Sequence, residues 1–371
     1  LWPRIRLVPV RGYEEELIRL AERMAHELEW PAAPACLFDE AITAVGREAG
    51  DYSSKLDVAL KPDEHAVDAT RRVLRALVDT LERNIPGTRA DLDSEFLHDL
   101  RVATRRTRSA LSQVKRVLPE AVVEDFKARF AWLGQITGPV RDLDVFLLEL
   151  PHYRASLPAS MAPDLDPLEA RLKSEHTTEQ AKLKRKLGSA EMRQLLADWH
   201  AVLDADQPPG EPGWFADLPI ERVASRRIWR MYKQVRKDGR AVTPDGPADA
   251  MHELRKDCKK LRYLIEFFRG LYPKDDVKDL IKALKALLDN LGAFQDLEVQ
   301  ADKLSGFARG FDSQDPDTLP TVMAIGALVA DLLARQQAAH ARFADCFAAF
   351  DKADNRKRYE RLFKEKAYKS A

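Results

Sequence analysis

Apolar residues recur every three or four positions from Pro62 almost to the end of the chain, which is the period of amphipathic helices. The first part of this stretch predicts helices at 63–85, 94–117, 120–149, 164–187 and 190–204. The second part predicts helices at 219–238, 248–271, 274–306 and 318–350. A Pro- and Gly-rich segment, 207–213, separates the two sets and is typical of a linker. The pattern therefore predicts an all-α fold.

The N-terminal region has a different pattern. Residues 4–10 alternate between polar and apolar positions, which predicts a strand, and residues 13–28 then carry apolar positions on one helical face. We therefore expect residues 1–60 to form a short, partial α/β segment. At the other end of the chain, residues 352–371 are rich in charge and predict a polar tail.

The chain contains an internal repeat. The segment from His98 to Val145 recurs without a gap 154 residues later, from His252 to Val299, and about a quarter of the aligned positions are identical. Each copy extends one helix towards the N-terminus, because Arg72 aligns with Arg226 at the same offset. We therefore expect two four-helix bundles, at 61–205 and 215–351, joined by a linker at 206–214 and related by a pseudo-two-fold axis.

Each copy of the repeat places cations along one side of a helix. On a helical wheel the four residues of each set fall on one side, away from the apolar positions. The first stripe is His98, Arg101, Arg105 and Arg108, and the second stripe is His252, Arg255, Lys259 and Arg262. Like charges on adjacent turns repel by a few tenths of a kcal/mol per pair. This unfavourable arrangement occurs in both copies of the repeat. Each stripe is about 15 Å long, so the pattern predicts a site for several successive phosphates.

Composition narrows the alternatives. The 60 Lys and Arg residues balance 60 Asp and Glu residues, so anion binding has to rest on where the charges lie. Three scattered cysteines predict neither disulfides nor a zinc site and fit a reducing cytosol. No run approaches the roughly 18 apolar residues of a membrane span. Glu95 and Asp249 have the carboxylate-x-x-His spacing of di-iron bundles, but the arginine one turn beyond each histidine disfavours a metal.

The doubled His-x-x-Arg-x-x-x-Arg/Lys pattern and the Arg-Asp-Leu-Asp run at 141–144 resemble the CHAD domain family over about residues 63–350. The resemblance implies an all-helical, non-catalytic module that binds inorganic polyphosphate in a groove between two bundles and associates with polyphosphate granules. By position it implies twelve binding residues: Arg72, His98, Arg101, Arg105, Arg106, Arg108, Arg226, His252, Arg255, Lys259, Lys260 and Arg262.

The segment at 7–13, followed by a helix, resembles the closing part of a CYTH domain, a triphosphate tunnel fold. The Glu-x-Glu-x-Lys signature of that fold is absent, and the chain begins at Leu1, so we expect an upstream part but no triphosphatase activity in this segment. We expect a cytoplasmic protein with no cofactor, no metal and no membrane partner. A phosphohydrolase that uses the same cations and a nucleic-acid binder are the alternatives; narrow stripes and zero net charge favour polyphosphate over nucleic acid.

Overall fold

A computed structural model describes residues 4–8, 10–30, 32–33, 36–46, 52–206, 210–243, 246, 248–312 and 315–368. The described residues are largely helical and form two compact units, 1–55 and 56–371. The expected all-α fold class is confirmed.

The first unit contains helices α1 (Glu14–Glu27) and α2 (Leu37–Ala44). The prediction of a strand at 4–10 was wrong, because the residues described there have no regular secondary structure. Alternation alone does not make a strand, because a strand also needs a neighbour to satisfy its backbone groups. The N-terminal segment is therefore helical rather than α/β in its described part.

The first copy of the repeat contains six helices: α3 (Ala66–Ala90), α4 (Ser94–Gln113), α5 (Glu120–Ile136), α6 (Gly138–Ser156), α7 (Asp166–Leu187) and α8 (Ala190–Asp204). The second copy begins with α9 (Ile220–Ala241), α10 (Ala248–Phe267), α11 (Lys274–Ala308) and α12 (Leu319–Ala341). Helices α3, α4 and α5 begin 154 residues before α9, α10 and α11 respectively, which is the offset of the sequence repeat.

The two copies differ at one helix break. The helix expected at 120–149 is interrupted at Thr137, whereas the equivalent α11 runs on without interruption. Pro139 occupies the first turn of α6, where a proline lacks the N–H needed to continue α5. The corresponding residue of the second copy is Ala293, which keeps the helix intact.

The C-terminal segment is not a solvated tail. After α13 (Phe343–Phe350), it forms α14 (Ala353–Tyr359), one π-helical turn (Glu360–Lys364) and α15 (Glu365–Tyr368). The Tyr359 and Phe363 side chains are fully buried, and the Tyr359 ring stacks on Tyr232 of α9 with 3.7 Å between ring centroids. The expected polar tail was therefore wrong, because its few apolar residues are spaced to face α9.

Two hydrophobic clusters hold the second unit together, and both draw on the two copies. The larger one joins residues of α3, α4 and α5 to residues of α9, α10 and the first half of α11. The smaller one joins α6 and the first half of α7 to the end of α11 and the first half of α12. The cores thus do not divide at the expected linker, of which 207–209 lies outside the described residues.

The starts of α3 and α9 exchange backbone hydrogen bonds. The Ala66 N–H donates to the Leu218 carbonyl at 2.9 Å, and the Ile220 N–H donates to the Glu64 carbonyl at 2.9 Å. Both the two donors and the two acceptors are 154 residues apart, so the pair is reciprocal between equivalent positions of the copies. Such a pair is what a local two-fold relation produces; a two-fold axis relating the complete bundles stays a prediction.

One helix within the described residues, α12, is long and apolar enough to cross a membrane by length and composition. Its Ile325, Leu328 and Leu332 side chains are buried in the smaller cluster. A core helix of a soluble protein passes the same test, so the composition of α12 alone does not establish a membrane span.

Candidate anion-binding site

Helix α4 presents the first stripe to the exterior because its other face is fixed in the core. The Asp93 carboxylate caps its first turn and accepts a hydrogen bond from the Glu95 N–H at 2.8 Å. Leu97, Leu100 and Ala103 are buried. The stripe residues alternate with these positions, and they are half-buried or, at Arg105 and Arg108, exposed.

Arg101 is held at the end of a neighbouring helix. Its Nη1 donates to the Gly134 carbonyl at 3.0 Å and to the Thr137 hydroxyl at 2.9 Å, at the last turn of α5. A cation there is favourable, because the C-terminal carbonyls of a helix carry partial negative charge. Burial and the adjacent Arg105 guanidinium lower the pKa of Arg101, which means that holding a charged guanidinium at this position is unfavourable. The buried Nε of Arg101 has no hydrogen-bond partner in the described structure.

His98 lies close to Arg141, a cation of α6 that belongs to neither stripe. Burial and the guanidinium of Arg141 lower the pKa of His98, so its ring is neutral at neutral pH when no anion is bound. Arg141 also lowers the pKa of Arg101, which places it in the same cluster of charges. The buried Nη1 of Arg141 lacks a hydrogen-bond partner among the described residues. Arg141 is therefore a site residue that sequence reasoning undervalued.

Helix α10 presents the second stripe, whose first two residues contact side chains of α11. The His252 ring makes a hydrogen bond with the Gln295 side chain of α11, and Arg255 Nη2 donates to Asp296 Oδ1 at 3.0 Å. The guanidinium of Arg255 passes 3.7 Å from where a Cβ would stand on Gly292. Like its counterpart Arg101, Arg255 has a buried Nε without a partner in the part of the chain that the structure describes.

Lys259 connects the two stripes electrostatically. Burial, Arg255 of its own helix and Arg105 of α4 lower the pKa of the Lys259 ammonium to about 8, although Asp296 opposes this. Helices α4 and α10 pack against each other, which brings charges from both copies to this point. Lys259 also lines a cavity of about 310 Å³ together with Arg255 and Arg262. The two stripes thus meet rather than lying on opposite surfaces.

Four of the twelve residues implied by the resemblance are engaged elsewhere. Arg72 pairs with Glu64, Arg106 with Glu266 of α10 at 2.9 Å, and Lys260 with Asp257 at 2.6 Å. Arg226 lies over the Phe215 ring, 5.4 Å from its centroid. The Arg106–Glu266 pair is nearly buried and joins the copies, so we assign Arg106 to the packing of α4 on α10.

Arg262 has two roles. It lines the cavity beside Lys259, and its Nε donates to Glu266 Oε1 at 2.6 Å. Arg108, in the first copy, lies beside Gly134, with its Nη1 3.4 Å from where a Cβ would stand. Both residues therefore remain with the stripes.

The described residues contain no group of three or more His, Cys, Asp or Glu side chains placed to hold a metal ion. Asp144 is a buried carboxylate near Arg141, and the His176 ring contacts it at 2.9 Å. Burial raises the pKa of Asp144 despite that contact. It forms a local polar pair rather than part of a carboxylate cluster.

Comparison with known proteins assigns the fold. A family model described as the CHAD domain matches residues 72–305. The crystal structure of the CHAD domain from the plant Ricinus communis is similar, with 26% identity, a TM-score of 0.65, and coverage of 81% of this chain and 98% of that one. PptA from Streptomyces chartreusis shares the fold at 19% identity and a TM-score of 0.58, covering 76% of this chain and 99% of that one. No curated protein matches the chain. The matched segment exceeds half of the sequence, and the chain therefore belongs to the CHAD domain family.

Proposed function

We propose that the protein binds inorganic polyphosphate in a groove lined by the two stripes. The observation that carries the proposal is the crowding of cations around Lys259. Burial lowers the pKa of Lys259 most, Arg255 and Arg105 lower it further to about 8, and the negative charge of Asp296 does not offset these effects. A phosphate chain would supply that charge and would satisfy the buried Nε groups of Arg101 and Arg255.

The proposed binding surface differs from the one that the resemblance implies. It omits the residues engaged elsewhere and gains Arg141, whose charge acts on His98 and Arg101. It comprises His98, Arg101, Arg105, Arg108, Arg141, His252, Arg255, Lys259 and Arg262. Apart from Arg141, which lies on α6, these residues extend along two helices from different copies, an arrangement that suits a linear polyanion better than a single phosphate.

Binding without catalysis is the activity we propose. A phosphohydrolase would need carboxylates beside the phosphates to hold a divalent metal or activate water. Acids beside the stripes are already paired with cations: Asp296 with Arg255, Glu266 with Arg262, and Asp142 with Lys303. We further propose a cytoplasmic location and, through the bound polymer, association with polyphosphate granules.

The test compares two matched double variants. Arg105→Ala with Lys259→Ala removes one arginine and one lysine, one from each stripe, and neither side chain forms an ion pair with another described residue. Arg83→Ala with Lys184→Ala removes the same charges from exposed positions of α3 and α7. Affinity for long-chain polyphosphate is measured by calorimetry at several salt concentrations.

We expect the stripe variant to bind at least tenfold more weakly, since each charge-assisted contact contributes roughly 1.5–3 kcal/mol. Its dependence of log affinity on log salt should become shallower by about two, by analogy with counterion release from nucleic acids. The α3/α7 variant should behave like wild type. Equal weakening in both variants would contradict the proposal, and release of orthophosphate from the polymer in the presence of Mg²⁺ would favour the enzyme instead.

A further inference from the structure

A second cationic cavity lies apart from the residues proposed above. It has a volume of about 420 Å³, which is in the usual range of small-molecule sites, roughly 300–1,000 Å³. It is bordered by the segment that follows α4 and by the first half of α9. Six of its lining residues are cations: Lys115, Arg116, Arg222, Arg226, Arg227 and Arg230.

Carboxylates are absent from the described lining of this cavity, whose other members are Phe215, Leu218 and Val223. Arg227 Nε donates to the Gln113 carbonyl at 2.5 Å. Burial, with Arg230 and Arg226 nearby, also lowers the pKa of Arg227. None of the other five cations forms an ion pair with a described residue. The cavity therefore concentrates positive charge without an internal counter-charge.

The cations are held in place by local packing. The Arg226 guanidinium lies over the Phe215 ring. Arg116 has a φ of 62°, in the left-handed region that only a few per cent of non-glycine residues adopt. This conformation is fixed by the Phe215 N–H, which donates to the Arg116 carbonyl at 2.7 Å. A Cβ on Gly213 would meet Arg116 backbone atoms at 2.5 Å, so the close approach requires glycine there.

The cavity is not a product of the repeat. At the 154-residue offset, Arg222 and Arg230 correspond to Asp68 and Ala76, and Arg116 corresponds to Gly270. The arginines at 222, 226 and 230 recur every fourth residue and span about 12 Å along α9. Only the second copy therefore carries this cationic face, and it surrounds one cavity instead of following a path along a helix pair.

We propose that this cavity is a second anion site that takes a compact oligophosphate, either inorganic or attached to an organic carrier. Several cations converging on one volume fit neighbouring phosphate groups of a short chain. One side of the cavity is apolar and gives an organic carrier a surface to contact; it is formed by Phe215, Leu218 and Val223. The site is independent of the stripes, because it uses none of the nine residues assigned to the long polymer.

The experiment is calorimetry with inorganic triphosphate on the full chain. Arg222→Ala with Arg230→Ala should weaken triphosphate binding at least tenfold while leaving affinity for long polyphosphate within about threefold of wild type, since two charge-assisted contacts are lost only here. The control, Arg83→Ala with Arg185→Ala, removes two exposed arginines and should leave both affinities unchanged. Unfolding midpoints of all variants show whether they are folded. Arg230→Glu changes a single exposed position and gives a second, independent test of the cavity.

Unaltered triphosphate binding in both cavity variants would overturn the inference, and so would equal affinity for orthophosphate and triphosphate in wild type. Titration with ATP separates the sources: affinity equal to that of triphosphate supports an inorganic ligand, and higher affinity supports a carried one. Failure of the polyphosphate site proposed at the two stripes would be a separate result: Arg105→Ala with Lys259→Ala would then retain affinity for long polyphosphate.

Discussion

Replacing Lys259 with methionine should stabilise the free protein. Lysine and methionine have unbranched stems, so the change mainly removes the charge. Lowering a lysine pKa from 10.5 to about 8 corresponds to at most about 3 kcal/mol of unfavourable free energy in the folded state. Because Lys259 is only partly buried, solvent screens this cost, and we expect a gain of about 1–2 kcal/mol at pH 7.

The pH dependence distinguishes this cause from better packing. Below about pH 8, Lys259 is charged in both the folded and the unfolded state, and the whole penalty applies. Between about pH 8 and 10.5 the unfolded chain binds more protons at this position, so the free energy of unfolding of the wild type rises with pH. The advantage of Lys259→Met should therefore be constant below pH 8 and shrink above it.

The measurement is urea unfolding at several pH values from 6.5 to 10, analysed as the difference between each variant and wild type. Lys184→Met, at an exposed position of α7, is the matched control and should differ little from wild type throughout. A Lys259→Met protein that is no more stable than wild type at pH 7, or whose advantage does not depend on pH, would refute the reasoning. The same variant should bind polyphosphate more weakly, so stability and binding should change in opposite directions.

Three further outcomes follow from the contacts described. Burial and Arg141 lower the pKa of His98, and a bound phosphate would raise it, so binding takes up a proton and polyphosphate affinity should increase as the pH falls from 8 to 5.5. Titrations over this range should show a smaller increase in His98→Gln. Arg106→Ala should reduce the free energy of unfolding by about 1–3 kcal/mol, because the buried Glu266 keeps only one partner, yet polyphosphate affinity in calorimetry should change less than threefold. Removal of the chain from Ala353 onward should destabilise the fold by several kcal/mol in thermal unfolding, since it uncovers α9 and deletes side chains such as Tyr359, each contributing about 1.5–3 kcal/mol.

Helix positions and the paired stripes could be predicted because both are periodic features of the sequence. The starts of α4 and α10 were predicted to the residue, since a polar or small residue precedes each apolar pattern. The break at Thr137 was not, although Pro139 was the available signal. The buried C-terminal segment was missed because charged residues outnumber the apolar ones there, and only its partner helix shows which face matters.

The sequence alone could not show which of the cations form ion pairs with other side chains. Arg106 differs from its neighbours on α4 only in direction, and its partner Glu266 is 160 residues away. The importance of Arg141 depends on α6 packing beside α4, which no local pattern specifies. The cavity on α9 had a signal, arginines at every fourth position, but the same pattern also describes an ordinary solvated face. Tertiary packing decides which basic residues have partners and which do not.

The interleaving of the two copies in both hydrophobic clusters bears on how such a chain could have arisen. The smaller cluster combines α6 and α7 with the corresponding parts of α11 and α12, so a chain holding a single copy would expose the apolar surfaces that the other copy now covers. A second identical chain could cover them in a self-complementary contact. A single-copy ancestor is thus most simply a homodimer, and gene fusion would have turned its subunit interface into an interior. After fusion the two copies could also diverge in sequence, which allowed the basic face of α9 to develop in the second copy alone.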